Sequence, residues 1–229
     1  RYMVVTKSPL NNMIASSNSG GVWGARLKYA GYDALIVEGK SDKPVYISID
    51  DDKVEIKDAK HLWGKTSEHV EESLKNEYGQ EASVLNIGPA GENLSLMAAI
   101  INEADRAAGR SGVGAVMGSK HLKAIVCKSK RTVVEPYDKE ALRESVTHCL
   151  KLIKENGVTG TGLPTYGTAV LVNIINNIGS FPTKNWQESE FANSEMISGE
   201  TLKEKHIVKQ GFCHRCPIGC GRVINLNGK

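Results

Sequence analysis

Val45-Tyr-Ile-Ser-Ile-Asp-Asp-Asp-Lys-Val-Glu-Ile56 is the stretch that sets the fold class. Its apolar positions alternate with period two on either side of the acidic Asp50-Asp51-Asp52-Lys53, and that pattern predicts a β-hairpin. Toward the N-terminus, Met3 to Thr6 is short and β-branched, so it reads as a strand. Val22 to Ala30 is helical in pattern and stops at Gly31, before the compact apolar run Ala34-Leu-Ile-Val37. Toward the C-terminus, a helix is expected over Ser67 to Tyr78, entered through Thr66 or Ser67 and closed by Gly79. Ser83 to Ile87 reads as a further strand, followed by the turn Gly88-Pro-Ala-Gly91. Leu94 to Ile101 fits strand or helix equally by periodicity. Ala124 to Lys128 is again a strand.

Beyond Lys128 the texture changes. Asp138 can cap a helix reaching about Glu155, with Ala141, Leu142, Val146, Cys149, Leu150 and Ile153 along one side. Leu171, Ile174, Ile175 and Ile178 have the i, i+3, i+4, i+7 spacing of a helical face, and Gly179 ends it. A third helix is expected from Ser198 to about His206. The fold class is therefore α+β: a sheet-rich domain over residues 1–132, then the beginning of an α-helical domain over 133–229. The linker falls at Arg131 to Asp138, around Pro136.

The composition removes several function classes. With 29 Lys+Arg against 26 Asp+Glu, the formal net charge is only +3. A protein held to nucleic acid by phosphate neutralisation carries a dense basic face or tail, so no nucleic-acid partner is expected. Hydrophobic residues at 40% and charged residues at 24% describe a folded chain rather than a disordered one. The longest uncharged stretch, Asn156 to Thr183, contains Pro164, Pro182, several glycines and four asparagines. It is no membrane helix, which needs ~20 mainly apolar residues. No secretory or lipidation signal is visible, and a cytoplasmic location is expected. The chain starts at Arg1 and stops at Lys229 in mid-pattern, and is read as a piece of something larger.

Five cysteines are present, an odd number and a poor disulfide framework. Cys127, in an apolar run, and Cys149 read as small buried hydrophobes. The other three fall in Cys213-His-Arg-Cys216-Pro-Ile-Gly-Cys220, a C-x2-C-x3-C array. Thiolates are soft ligands suited to iron–sulfur clusters or zinc. A tight loop can give three ligands to a [4Fe–4S] cluster while the fourth comes from a distant segment. Structural zinc sites more often use two separated cysteine pairs. His214 could be a fourth zinc ligand but is crowded between two cysteines. The spacing reverses the C-x3-C-x2-C order of radical enzymes using S-adenosylmethionine. Both metals stay open on spacing alone.

A second constellation is Asp105-Arg-Ala-Ala-Gly-Arg-Ser-Gly-Val-Gly-Ala-Val-Met-Gly118. Arg106 and Arg110 are four apart and would share one face of a helix. Guanidinium forks grip phosphates bidentately, and Ala107, Ala108 and Gly109 let a ligand approach the backbone. The glycines at 112, 114 and 118 are spaced G-x-G-x-x-x-G, which is neither the dinucleotide fingerprint nor a Walker A loop. The other reading is a tight packing turn with two solvent-facing arginines. A third stretch, Ser16-Ser-Asn-Ser-Gly-Gly21, reads as a small polar turn that can offer successive amides to an anion ahead of a helix. The remaining histidines form no ligand spacing, and no Ser–His–Asp or H-E-x-x-H arrangement occurs.

Taken in order, several segments resemble the tungsten-dependent aldehyde:ferredoxin oxidoreductases. They are Arg1-Tyr-Met-Val-Val-Thr-Lys-Ser-Pro9, Asn18-Ser-Gly-Gly21, Gly31-Tyr-Asp-Ala-Leu-Ile-Val-Glu-Gly39 and Ile87-Gly-Pro-Ala-Gly-Glu92. Arg106-Ala-Ala-Gly-Arg110, Gly162-Leu-Pro-Thr-Tyr-Gly-Thr168 and the cysteine array complete the series. The resemblance runs over essentially the whole chain. It implies two β-sheets forming a base for a tungsten (or molybdenum) bis-pterin cofactor, with helical domains above and a [4Fe–4S] cluster beside the metal.

Carried over residue by residue, Arg1, Asn18, Gly20, Arg106, Ala107, Gly109 and Arg110 match positions that contact the bis-pterin. The carbonyls of Asn18 and Ala107 would hold a magnesium ion bridging the pterin phosphates. Arg1 is expected between cofactor and cluster, and Cys213, Cys216 and Cys220 match three cluster ligands. The family's fourth cluster cysteine, its acid/base Glu and His and its inter-subunit iron ligands would lie past Lys229, so no catalytic residue is assigned here. The implied activity is oxidation of an aldehyde to a carboxylic acid, with ferredoxin as electron acceptor, in a homo-oligomer or multi-subunit complex without nucleic acid or membrane. The alternatives are a family member reducing a carboxylic acid or aromatic thioester, and a non-catalytic iron–sulfur electron-transfer subunit. A zinc-stabilised binding module is a more distant one.

Overall fold

The computed structural model describes residues 1–226. The chain divides into two compact units, Arg1–Glu135 and the residues from Pro136 onward.

The first unit begins with strands β1 (Tyr2–Lys7) and β2 (Ile14–Ser19), followed by helix α1 (Trp23–Tyr29). Strands β3 (Val45–Asp50) and β4 (Lys53–Asp58) form the expected hairpin, in register from Val45↔Asp58 to Asp50↔Lys53. Helix α2 (Ser67–Tyr78) comes next, with Thr66 Oγ1 accepting from the His69 N–H and Gly79 at its end. Strand β5 (Ser83–Asn86) leads into the single-turn helix α3 (Pro89–Glu92), then β6 (Ile100–Asn102), β7 (Arg106–Ala108), helix α4 (Val113–Ser119) and β8 (Leu122–Lys128). Six strands make one mixed sheet in the order β4-β3-β8-β5-β6-β7, and β1 and β2 make a second, antiparallel sheet.

The six-stranded sheet is covered on both faces, and the strand period shows it. Along β8, Ile125 and Cys127 join a cluster with Trp23, Leu27, Val113 and Met117, so α1 and α4 cover that face; Leu122 reaches the same cluster because the register with β3 shifts between Leu122 and Ala124. Ala124 and Val126 belong to the opposite cluster, with Val70 and Leu74 of α2. A central strand buried on both sides needs a near-continuous apolar run, which Ala124-Ile-Val-Cys127 supplies. One cation directly precedes it. Lys123 is fully buried, and its ammonium pairs with Glu92 and donates to the Lys65 carbonyl at 2.9 Å.

The second unit opens with α5 (Lys139–Glu155), whose first turn is capped by Asp138 Oδ1 accepting from the Ala141 N–H at 2.9 Å. Short helices α6 (Leu163–Tyr166), α7 (Leu171–Asn177) and α8 (Gly199–Lys205) follow, then the antiparallel strands β9 (Ile207–Gly211) and β10 (Gly221–Ile224). Ser198 caps α8 by accepting from the Thr201 N–H at 3.1 Å. No α5 residue is buried, and Leu142, Val146 and Leu150 stand exposed.

Two expectations change, and one apolar run is placed outside the strands. Ser16–Ser19 is not turn but the second half of β2, because Ser17 and Ser19 point inward to hydrogen-bond partners that replace apolar packing. Arg106 and Arg110 do not share a helix face: Arg106 lies in β7, Arg110 in the loop after it, and α4 starts only at Val113. Ala34–Val37 forms no strand.

Candidate functional site

The sheet geometry decides which way the β1–β2 hairpin faces. Side chains alternate, so Tyr2, Val4, Ala15, Ser17 and Ser19 turn inward while Met3, Val5, Ile14, Ser16 and Asn18 stand on the outer face. Asn18, opposite Met3 in the register, is thus exposed. Strand β2 runs beside β7, and Ser17 Oγ accepts from the Arg110 N–H at 3.1 Å, joining residues 93 apart in sequence. On β7, Ala108 is buried and Ala107 exposed; Gly109 and Arg110, just beyond, are exposed as well. Asn18, Ala107, Gly109 and Arg110 therefore belong to neighbouring outward-facing segments. The Arg106 guanidinium is half-buried, its Nε 3.5 Å from Asp105 Oδ1. Arg1 is exposed and begins the chain beside α1, its carbonyl packed on Gly24.

The glycines of this segment fall into two kinds. Gly112 has φ +68° and would place a Cβ 2.6 Å from the Leu96 carbonyl oxygen, Gly114 one against the Ala98–Ala99 backbone, and Gly118 one against the Gly91 carbonyl. These three serve the close packing of α4 on its neighbours, which is the packing-turn reading of the motif. Gly109 is different: an added Cβ would find nothing nearer than Ala107 Cβ at 4.0 Å. The chain's own packing leaves that space open, between an exposed guanidinium and the exposed Asn18 strand. An exposed arginine, a half-buried one, a carboxamide and an open glycine suit a phosphate-bearing ligand.

The Gly20–Gly21 link between β2 and α1 holds a surprise. The Val22 N–H, at the entrance of α1, donates to Glu103 Oε2 at 2.9 Å, so an internal carboxylate occupies the place where the sequence suggested an external anion. Gly21, at φ +82°, has no room for a Cβ because Glu103 and Asn102 fill it. Asn102, fully buried, receives the Tyr2 hydroxyl at 3.0 Å and the Ser19 hydroxyl at 2.7 Å on Oδ1, and its Nδ2 donates to the Gly20 carbonyl at 3.2 Å. Burial pushes the Tyr2 hydroxyl pKa well above its ordinary value, so it remains a donor. Sequence reasoning passed over Asn102 and Glu103. A polar pair directly after the ambiguous Leu94–Ile101 stretch was the available signal.

In the second unit, Cys213, Cys216 and Cys220 occupy the connection between β9 and β10, each half-buried and reduced. The Cys216 N–H donates to the Cys213 carbonyl at 3.1 Å, closing a turn, and Arg215 and Gly219 take positive φ. Gln210 Nε2 and Arg222 Nη1 both donate to the Gly219 carbonyl, at 3.1 and 2.7 Å, which pins the loop to its two strands. Among the described residues no three His, Cys, Asp or Glu side chains converge closely enough to hold a metal ion, so these thiols are not drawn together. Thiolates repel until a cation neutralises them, and the donor type and the pinned, reversing loop suit a metal cluster. Cys127 is fully buried, and burial pushes its thiol pKa up to about 12, whereas Cys149 is exposed and not the buried hydrophobe expected. Among the described residues no helix is long and apolar enough to cross a membrane.

Comparison with known proteins gives the lineage. Residues 1–129 match the family described as aldehyde ferredoxin oxidoreductase, N-terminal domain, and residues 144–229 match aldehyde ferredoxin oxidoreductase, domains 2 and 3. The tungsten-containing aldehyde ferredoxin oxidoreductase of Pyrococcus furiosus is 52% identical over 227 residues, 99% of this chain and 37% of that protein. The WOR-like subunit of an aliphatic sulfonate oxidoreductase from the same organism is 33% identical over 240 residues, 97% of this chain and 37% of that protein. Among solved structures, the active site complex BamBC of benzoyl coenzyme A reductase, with 1,5-dienoyl-CoA, superposes at a TM-score of 0.75 and 34% identity. It covers 99% of this chain and 36% of that one. The chain thus spans little more than a third of the length of the relatives it matches. With both family descriptions matched in order and half the residues identical to a curated relative, this chain belongs to the aldehyde ferredoxin oxidoreductase family.

Proposed function

We propose that this chain supplies the pterin cradle and the cluster loop of a tungsten oxidoreductase that oxidises aldehydes, with water, to carboxylic acids and delivers the electrons to ferredoxin. The observation that carries the reading is the outward-facing set Ala107, Gly109 and Arg110 beside Asn18, with open space at Gly109, in a chain half identical to tungsten-containing relatives. When bound, a tungsten (or molybdenum) bis-pterin supplies the two-electron chemistry and a [4Fe–4S] cluster relays the electrons singly.

The residues of this chain bind and orient. Arg106 and Arg110 anchor pterin phosphates as charge-assisted forks, and Gly109 and Gly20 let the cofactor approach the backbone. The Asn18 and Ala107 carbonyls would hold a magnesium ion, and Arg1 would add a fixed cation. Cys213, Cys216 and Cys220 supply three cluster thiolates, with the fourth ligand from outside this array. The setting is reducing and cytoplasmic, and the assembly a homo-oligomer or multi-subunit complex.

Elemental analysis of the protein purified without oxygen tests this. Tungsten near one per chain with iron near four is expected for one metal centre and one cubane cluster; iron without tungsten or molybdenum would overturn the cradle assignment. Arg110→Ala should lose tungsten while keeping iron, and Cys216→Ser the reverse. Equal loss of both metals from each variant would refute the division of labour. The likeness to a benzoyl coenzyme A reductase complex favours a second reading, reduction of an aromatic thioester, which turnover of aldehydes but not aroyl thioesters would dismiss.

A further inference from the structure

Resting on the cradle reading above, we propose that Asn102 is a positioning residue for the cofactor site, acting through the three segments that line it. The three are separate in sequence: Arg1–Tyr2, Asn18–Gly20 and Arg106–Arg110. Asn102 touches the first two and is the register partner of Arg106, the first residue of the third. Its Oδ1 accepts from Tyr2, the residue after Arg1, and from Ser19, the residue between Asn18 and Gly20. Its Nδ2 donates to the Gly20 carbonyl and, at 2.5 Å, to Glu103 Oε2. Both lone-pair sites and both donors of the carboxamide are in use, with no solvent contact.

Glu103 extends the node. One of its oxygens takes the Val22 N–H and the other the Ser83 hydroxyl. The chain also accepts backbone strain to make this arrangement, since Glu103 and Ala104 have φ +47° and +57°. The Ala104 N–H is held at 2.7 Å by the buried Glu71. Apolar side chains could fill this space, yet they would tolerate small slips of one strand over another. A fully satisfied polar node has one geometry, and that sets where Asn18, Gly20 and Arg106 stand relative to each other. Binding a rigid, multiply charged cofactor is sensitive to such placement, whereas sheet stability is less so.

The test uses the tungsten-loaded protein and reads tungsten per iron, the rate of tungsten loss on warming, the tungsten(V) electron paramagnetic resonance signal and the melting temperature. Tyr2→Phe removes one donor to Asn102 and keeps the ring packed edge-on against Trp23 at 5.0 Å. Tungsten loss should accelerate about two- to tenfold, the effect of one hydrogen bond, with iron content unchanged and an altered tungsten signal. Asn102→Ala should lower tungsten per iron further, and should the variant fail to fold, Ser19→Ala repeats the Tyr2→Phe test from the other donor. Normal tungsten retention and an unchanged signal in the variants, with only a lower melting temperature, would reduce the node to a structural role and overturn the proposal. Arg110→Ala is the control. If it too retains tungsten, the cradle reading itself fails; if it loses tungsten while the Tyr2 and Asn102 variants do not, only the positioning role fails.

Discussion

Replacing Glu92 by glutamine should cost this fold more than any surface change of charge, by an amount that depends on pH. Glu92 and Lys123 side chains are 5% and 0% exposed, and they pair beneath the loop at Gly64, whose N–H donates to the same carboxylate at 2.8 and 2.9 Å. Glutamine keeps the shape and one acceptor for Gly64. It removes the charge that neutralises Lys123, leaving a buried ammonium with the Lys65 carbonyl as its remaining strong partner. Orphaning one member of a buried pair costs about 3–5 kcal/mol, out of a total stability of about 5–15 kcal/mol.

Burial holds the Lys123 pKa below its ordinary value, and Glu92 works against that shift. Between the depressed value and the ordinary one the unfolded chain binds more protons, so Lys123's contribution to stability rises with pH. Without Glu92 the depression deepens and the window reaches to lower pH. The penalty of Glu92→Gln should therefore shrink on going from neutral to alkaline solution, by up to about 1.4 kcal/mol per pH unit within the window. Urea unfolding followed by tryptophan fluorescence reads this, because Trp63 adjoins Gly64 and Trp23 is buried, while Trp186 is already exposed. A loss below ~1 kcal/mol at neutral pH, or a penalty independent of pH, would refute the reasoning. Adding Lys123→Met to Glu92→Gln should restore most of the loss, because no uncompensated charge is then buried.

The two kinds of glycine give an opposed pair of variants. Gly118→Ala drives a methyl into the Gly91 carbonyl and should destabilise by about 1–3 kcal/mol, as overpacking does, measured as a lower urea midpoint. Gly109→Ala meets open space and should leave the midpoint within about 0.5 kcal/mol while lowering tungsten content; a stability loss equal to that of Gly118→Ala would show that the space is not open. Cysteine alkylation at neutral pH should mark the exposed Cys149 within minutes and spare Cys127, whose pKa is pushed up to about 12 by burial. Labelling of Cys127 in the folded protein at a comparable rate would contradict its placement in the core.

Where side-chain pattern and backbone agree, the fold was legible. The 45–56 hairpin, α2 with its Thr66 cap, β8 and the Asp138-capped α5 all have a period or a capping residue that acts locally. Illegible parts are those whose inward side chains are polar. In β2 the inner positions are Ala15, Ser17 and Ser19, and nothing nearby in sequence says that the two serines meet Arg110 and Asn102. In β7 the chain is three residues long and its neighbours are β6 and β2, so the i, i+4 relation of Arg106 and Arg110 suggested a helix that long-range pairing overrides. The run at 34–37 has the apolar content of a strand but no partner among the described strands.

That failure of local reasoning is informative about the site. Apolar burial is indifferent to which apolar neighbour is met, so it can be read from composition, but a buried carboxamide with four partners specifies which segments must be brought together. Here those segments are the ones that carry the candidate cofactor residues, and the same node consumes the amide at the entrance of α1 that a local reading offered to an external anion. Glu103, not a phosphate, accepts from that amide, which leaves the exposed face at Asn18, Ala107, Gly109 and Arg110 as the candidate surface for an anionic ligand. A Glu103→Gln variant would separate the two possibilities. If the inner amide were a phosphate site, removing the competing carboxylate charge should tighten cofactor retention. If the outer face is the site, the change can only loosen the turn, and tungsten should be lost faster than in the parent protein.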